Sequence, residues 1–145
     1  MKNLFYCLFL LLFAPLSFIT AQAPVSVSRF GGTGTETITD YFRDNVGNQY
    51  ITGSFEGIVD FDPSNGTFNL TANTSGPDIF LARYSSGGAL KFAINIGGVA
   101  NDEGSGIAVD VNGNIYLTGY FMDQVDFDPG ALTQMLNSQV NPDGF

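Results

Sequence analysis

Two stretches of this chain repeat one another at a fixed offset of 66 residues, so an acceptable fold must place both copies in like environments. Gly47-Asn48-Gln49-Tyr50-Ile51-Thr52-Gly53-Ser54-Phe55 is echoed by Gly113-Asn114-Ile115-Tyr116-Leu117-Thr118-Gly119-Tyr120-Phe121. Val59-Asp60-Phe61-Asp62-Pro63 returns as Val125-Asp126-Phe127-Asp128-Pro129 in the same register. Over 47–63 against 113–129, 11 of 17 positions are identical. Weaker echoes keep the offset: Phe30-Gly31-Gly32 with Ile96-Gly97-Gly98, Glu36 with Asp102, and Thr67 and Leu70 with Thr133 and Leu136.

One unit reads as a run of short strands. Gly106 to Asp110 is apolar and brief. Val111-Asn112-Gly113 follows as a turn, where Asn-Gly is expected to supply the positive φ angles of a tight hairpin. Asn114 to Phe121 is rich in aromatic and β-branched residues, as strands are. An acidic, proline-containing excursion comes next, Asp123 to Gly130, with a weak strand at Thr133 to Leu136. The first unit supplies the continuation: strand Ile79 to Tyr84, turn Ser85 to Gly88, strand Leu90 to Asn95. Outside the first residues no long stretch carries apolar residues at helical spacing, and Gly or Pro interrupts every window of helical length. Four antiparallel strands repeated at a fixed period describe a propeller blade. Apolar residues on both faces, Tyr116 and Tyr120 on one and Ile115 and Leu117 on the other, fit sheets stacked face to face. The expected fold class is all-β, a β-propeller with about two four-stranded antiparallel blades. The period exceeds the ~40–50 residues usual for such repeats, and the excursion accounts for the surplus.

The chain opens on an export signal. Lys2 supplies the positive start, Leu4 to Phe18 an apolar run, and Thr20, Ala21 and Ala23 small residues for cleavage. Proline at position 24 would disfavour a cut after Ala23, so cleavage is expected after Ala21. That divides the chain into a signal peptide (1–21), a short lead (22–29) and the repeats (30–145), with unit 1 at about 30–95 and unit 2, incomplete, at about 96–145. Cys7, the single cysteine, lies inside the signal, so no disulfide is expected in the mature protein. The expected location is secreted or at the cell surface, with no membrane insertion after cleavage. A formal net charge of -9 repels nucleic-acid phosphates and anionic membranes, which removes both as expected partners.

The runs Gly106-Ile107-Ala108-Val109-Asp110, Gly113-Asn114-Ile115-Tyr116-Leu117-Thr118-Gly119 and Asp78-Ile79-Phe80-Leu81-Ala82-Arg83-Tyr84 resemble the bacterial β-propeller repeat family called SBBP, and the Val-Asp-Phe-Asp-Pro element is similar to exported Bacteroidetes versions of it. The resemblance covers about Phe30 to Phe145. The chain departs from it at Asp40-Tyr41-Phe42-Arg43, where the family has an Ala-Val-like pair. The resemblance implies a surface or secreted repeat protein. Asn141 to Phe145 aligns with Gly76 to Phe80, so the chain stops as a third strong strand begins. Two units cannot close a ring of ~4–8 blades, and the natural protein is expected to continue past Phe145.

Paired acids are the one chemically suggestive feature. Asp60 and Asp62 flank Phe61, and Asp126 and Asp128 flank Phe127; alternation puts both acids of a pair on one side and the ring on the other. Two readings stand side by side: a Ca²⁺ clamp completed by backbone carbonyls, or a turn whose aspartates cap backbone N–H groups while the ring plugs the core. Asp110-Val111-Asn112-Gly113-Asn114 has the opening of a calcium loop but lacks its downstream glutamate, and is read as a hairpin turn. Arg83 and Lys91 are expected to pair with acids across strands. Three Asn-x-Ser/Thr triplets begin at Asn65, Asn69 and Asn73. With no histidine, no cysteine in the mature chain and no Gly-x-Ser-x-Gly turn, no catalytic site is expected. The function expected is that of an exported, non-catalytic scaffold or binding platform for protein or glycan. A Ca²⁺-stabilised adhesion module, and the non-catalytic part of a larger carbohydrate-active enzyme, are the alternatives.

Overall fold

A computed structural model describes residues 29–73, 76–139 and 142–145. The expected signal peptide with Cys7, most of the lead, and the last two residues of the Asn73 triplet lie outside them. The described residues form strands and no helix.

In chain order the strands are β1 (Gly31–Gly32), β2 (Thr35–Arg43), β3 (Gln49–Glu56), β4 (Ile58–Asp60), β5 (Asn69–Thr71), β6 (Asp78–Tyr84), β7 (Leu90–Ile96), β8 (Glu103–Val109), β9 (Ile115–Phe121), β10 (Gln124–Asp126), β11 (Met135–Asn137) and β12 (Asp143–Gly144). The first unit is a four-stranded antiparallel sheet in the order β2-β3-β6-β7. The second is its counterpart, β12-β9-β8, with three strands among the described residues. Each unit carries its excursion as a separate small ladder, β1-β4-β5 in the first and β10-β11 in the second.

The two copies agree down to their irregularities. The register of β2 on β3 shifts between Ile38 and Asp40, and that of β8 on β9 between Gly104 and Gly106, 66 residues on. The Asp40 to Arg43 departure does not break the first blade's edge: Asp40, Tyr41, Phe42 and Arg43 pair in turn with Thr52, Ile51, Tyr50 and Gln49.

Period-two alternation builds the cores. On one face of the first sheet Ile51, Phe55, Phe80, Ala82, Tyr84 and Ala93 are buried beneath Val59 and Phe61 of the unit's own excursion. On the other, Tyr50 and Leu81 meet Ile107, with Phe42, Phe92, Val109, Ile115 and Leu117 around them. The first sheet is thus buried on both sides, by its excursion on one and by the second sheet on the other. A third cluster joins Ile79 and Ile96 of the first unit to Phe121 and Val125 of the second. Phe30 stacks on Phe61 at 5.1 Å, as the first residue of the echoed Phe30/Ile96 pair.

Two expectations need correction. Tyr116 is not buried: 57% of it is exposed, because no sheet among the described residues lies on that side of β9. Nor do Asn and Gly share positive φ at the hairpin. Only Gly113 has it, at 85°, while Gly113 N donates to Asp110 O and Asp110 N to Asn114 O. That is a type I turn closed by one left-handed glycine, a three-residue loop. Asp44–Asn48 and Ser85–Ala89 are built the same way, with Gly47 and Gly88 in the left-handed position.

Candidate functional site

The paired aspartates are backbone caps in both copies. Asp60 Oδ1 accepts from Asp62 N at 3.0 Å and from Phe68 N at 2.8 Å. Asp126 Oδ1 accepts from Asp128 N at 3.0 Å and from Gln134 N at 2.7 Å. Asp62 Oδ1 takes Ser64 N at 2.9 Å, and Asp128 Oδ1 takes Gly130 N at 2.7 Å. Asp60 and Asp126 close β4 and β10, and Asp62 and Asp128 follow them, where the chain leaves the ladder and its amides lose their strand partners. A short carboxylate acceptor two residues back satisfies them. The hydrogen bonds from Ser64 hold the Asp62 carboxyl below its ordinary range. Phe61 and Phe127 point the other way. Phe61 is fully buried and its carbonyl accepts from Tyr84 Oη at 2.9 Å; Phe127 lies 5.3 Å from Phe121 and 4.8 Å from Phe145. Burial pushes the Tyr84 hydroxyl up, helped by the charges of Asp62 and Asp60.

The four aspartates do not converge. Among the described residues no three His, Cys, Asp or Glu side chains are grouped to hold a metal ion. Ca²⁺ takes about six to eight oxygens, whereas each pair already spends one oxygen per carboxylate on amides.

The hairpin aspartates are bracketed more tightly still. Asp110 Oδ1 accepts from Asn112 N and Asn114 N, both at 2.8 Å, and Oδ2 from Asn114 Nδ2 at 2.7 Å. Asp44 repeats this with Val46 N at 3.0 Å, Asn48 N at 2.8 Å and Asn48 Nδ2 at 2.8 Å. Hydrogen bonding from Asn114, side chain and then backbone, lowers the Asp110 pKa. The calcium-loop likeness at Asp110 is therefore a hairpin bracket. The two tips border a common groove lined by Phe42, Val46, Tyr50, Val109 and Val111. Val46 is 75% exposed and Val111 98%. The sequence marks this site only by the repeated Asp-x-x-Gly-Asn spacing.

Arg83 and Lys91 do not face acids across strands. The neighbours of Arg83 are Tyr50 on β3 and Phe92 on β7, and its guanidinium lies over the Tyr50 ring at 5.3 Å. Lys91 sits at a register shift, exposed. Three other acids matter more than the sequence indicated. Asp40 Oδ2 accepts from Ile107 N at 2.8 Å, joining the first sheet to the bulge of β8, and this bond, then that from Tyr41, holds its carboxyl below the ordinary range. Asp78 and Asp102 are fully buried, and burial raises the pKa of both. Nothing in the spacing of those two sets them apart from surface acids.

No curated protein and no solved structure matches the chain. A family model does, over 94–120, a span that takes in the end of β7, the handover to the second unit, β8, its hairpin and nearly all of β9. In an all-β fold of antiparallel sheets whose unit repeats at a constant offset, the segment 94–120 matches the family model of the SBBP beta-propeller repeat.

Proposed function

We propose that the protein is an exported, non-catalytic propeller module that serves as a binding platform for protein or glycan, engaged at the hairpin tips. The observation that carries this reading is the groove between the tips Asp44–Asn48 and Asp110–Asn114. Each tip is braced by the same aspartate–asparagine bracket and presents an exposed valine, so the groove is preorganised and partly apolar. Loops on a rigid scaffold are where binding residues concentrate. The acids described above cap amides, bracket turns or lie buried, and the chain has no histidine, which supports a role without catalysis. The apolar N-terminus, with expected cleavage after Ala21, supports export.

The test compares the protein with the double variant Val46→Asp, Val111→Asp on arrays of glycans and of surface proteins from the native host. Binding that falls at least tenfold in the variant, with an unchanged melting temperature, supports the reading. Binding indifferent to both substitutions removes the groove as the site. Turnover of a bound glycan would refute the non-catalytic role.

A further inference from the structure

Asp78 and Asp102 are each 0% exposed, and they meet where the first sheet hands over to the second, Asp102 N donating to Pro77 O at 2.8 Å. Their wiring differs. Asp102 uses both oxygens: Gly98 N donates to Oδ2 at 2.8 Å and Met122 N to Oδ1 at 3.0 Å. That is how a carboxylate shares its charge. Asp78 receives every donor on one oxygen. Asn95 Nδ2 at 2.8 Å, Asn73 N at 3.0 Å and Asn73 Nδ2 at 3.3 Å all donate to Oδ2. Asp78 Oδ1 is buried with no hydrogen-bond partner among the described residues, and so is Asn95 Oδ1. Two orphaned acceptors thus belong to two side chains already joined by one hydrogen bond. Buried polar groups are ordinarily satisfied, so the pair calls for an explanation.

One proton supplies it. A carboxylic acid has a donor on one oxygen and an acceptor on the other, and a carboxamide has the same complement reversed. Joined edge to edge they close a two-bond ring. Asn95 Nδ2 to Asp78 Oδ2 is the bond in place; Asp78 Oδ1 to Asn95 Oδ1 is the bond a proton would complete. We propose that Asp78 is held as the neutral acid, paired in this way with the Asn95 carboxamide, and that its ionisation loosens the handover between the two sheets. Burial favours the neutral form of Asp78, against the hydrogen bonds that Asn95 and Asn73 donate to it. Asp78 and Asp123 both act on Asp102, and Glu103, next along β8, acts with Asp102 on Tyr120. Glu56, beside the Asp78 register partner Phe55, is exposed. Lys91, the cation of β7, is exposed near the opposite end of that strand from Asn95.

Asp78→Asn tests this without removing the shape. Its amide can donate to Asn95 Oδ1 at every pH. Urea unfolding is followed from about pH 5 to about pH 8 for both proteins. The native midpoint is expected to fall across that range, and the D78N midpoint to fall by less than half as much. A D78N slope equal to the native one overturns the proposal. A measurement on the unmutated, ¹³C-labelled protein stands beside it: the Asp78 side-chain carboxyl resonance is expected to titrate above the ordinary carboxylate value of about 3.9. Titration at or below that value overturns the proposal.

Discussion

Asp126 accepts two backbone amides on one oxygen, from residues two and eight positions further along, and Asp60 does the same in the first copy. A charge-assisted bond of this kind contributes about 1.5–3 kcal/mol, less where water can replace the partner. Asp126→Ala and Asp60→Ala are each expected to lower unfolding stability by about 1–2 kcal/mol in chemical denaturation. Because the carboxylates are acting as caps, melting is expected to be the same with calcium and with a chelator. A calcium-dependent rise in melting temperature that vanishes in both variants would return the pairs to a metal role. The turn reading of these residues was legible before the structure, because Asp-x-Asp-Pro after a strand pattern is a known way to leave a ladder. The importance of Asp78, Asp102 and Asp40 was not. Each depends on contacts with residues far along the chain or on a burial created only when the sheets dock. Single-residue chemistry carries no trace of that.

At the level of strands and turns the repeat makes a comparison that one copy alone would not allow. The turn that leads from β3 to β4 has Gly57 at a φ of 69°, and the matching turn from β9 to β10 has Asp123 at 59°. The left-handed region costs an L-residue about 1–2 kcal/mol, less for aspartate, and glycine almost nothing. Asp123→Gly is therefore expected to stabilise the protein by about 0.5–1 kcal/mol, after the greater freedom of glycine in the unfolded chain is subtracted. Unfolding of the variant checks the sign; a loss of stability would mean that the Asp123 side chain contributes more than its backbone costs. The strands themselves were legible, since alternation and punctuation by glycine placed β3, β6, β7, β8 and β9 close to where they lie. The hairpin class was misread, because Asn-Gly suits two turn types and loop length decides between them. The cross-strand partners were misread because pairing depends on register: the regular ladder sets Arg83 against Tyr50 and Phe92, and the shift after Arg83 leaves Lys91 without a pairing partner.

For the whole molecule, two sets of acids pull the pH dependence in opposite directions. Asp40, Asp62 and Asp110 have folded-state values lowered by donated hydrogen bonds, so their contribution is present above about pH 4 and is lost as the pH falls through those lowered values. Asp78 and Asp102 have values raised by burial. Their contribution is complete below about pH 4 and is lost as the pH rises through the raised values. A net charge of -9 adds self-repulsion that grows once every carboxyl is ionised. The lowered acids bound the stability maximum from below, and the buried acids and the self-repulsion bound it from above, which places it on the acid side of neutrality. Salt separates them. At an ionic strength of about 0.15 M the screening length is near 8 Å, which relieves repulsion between exposed charges but hardly touches a buried pair. Added salt at about pH 8 is thus expected to raise the melting temperature while leaving a residual decline from pH 5 to pH 8. A decline abolished by salt would assign it to surface charge alone, and a maximum at or above neutrality would contradict the burial of both carboxylates.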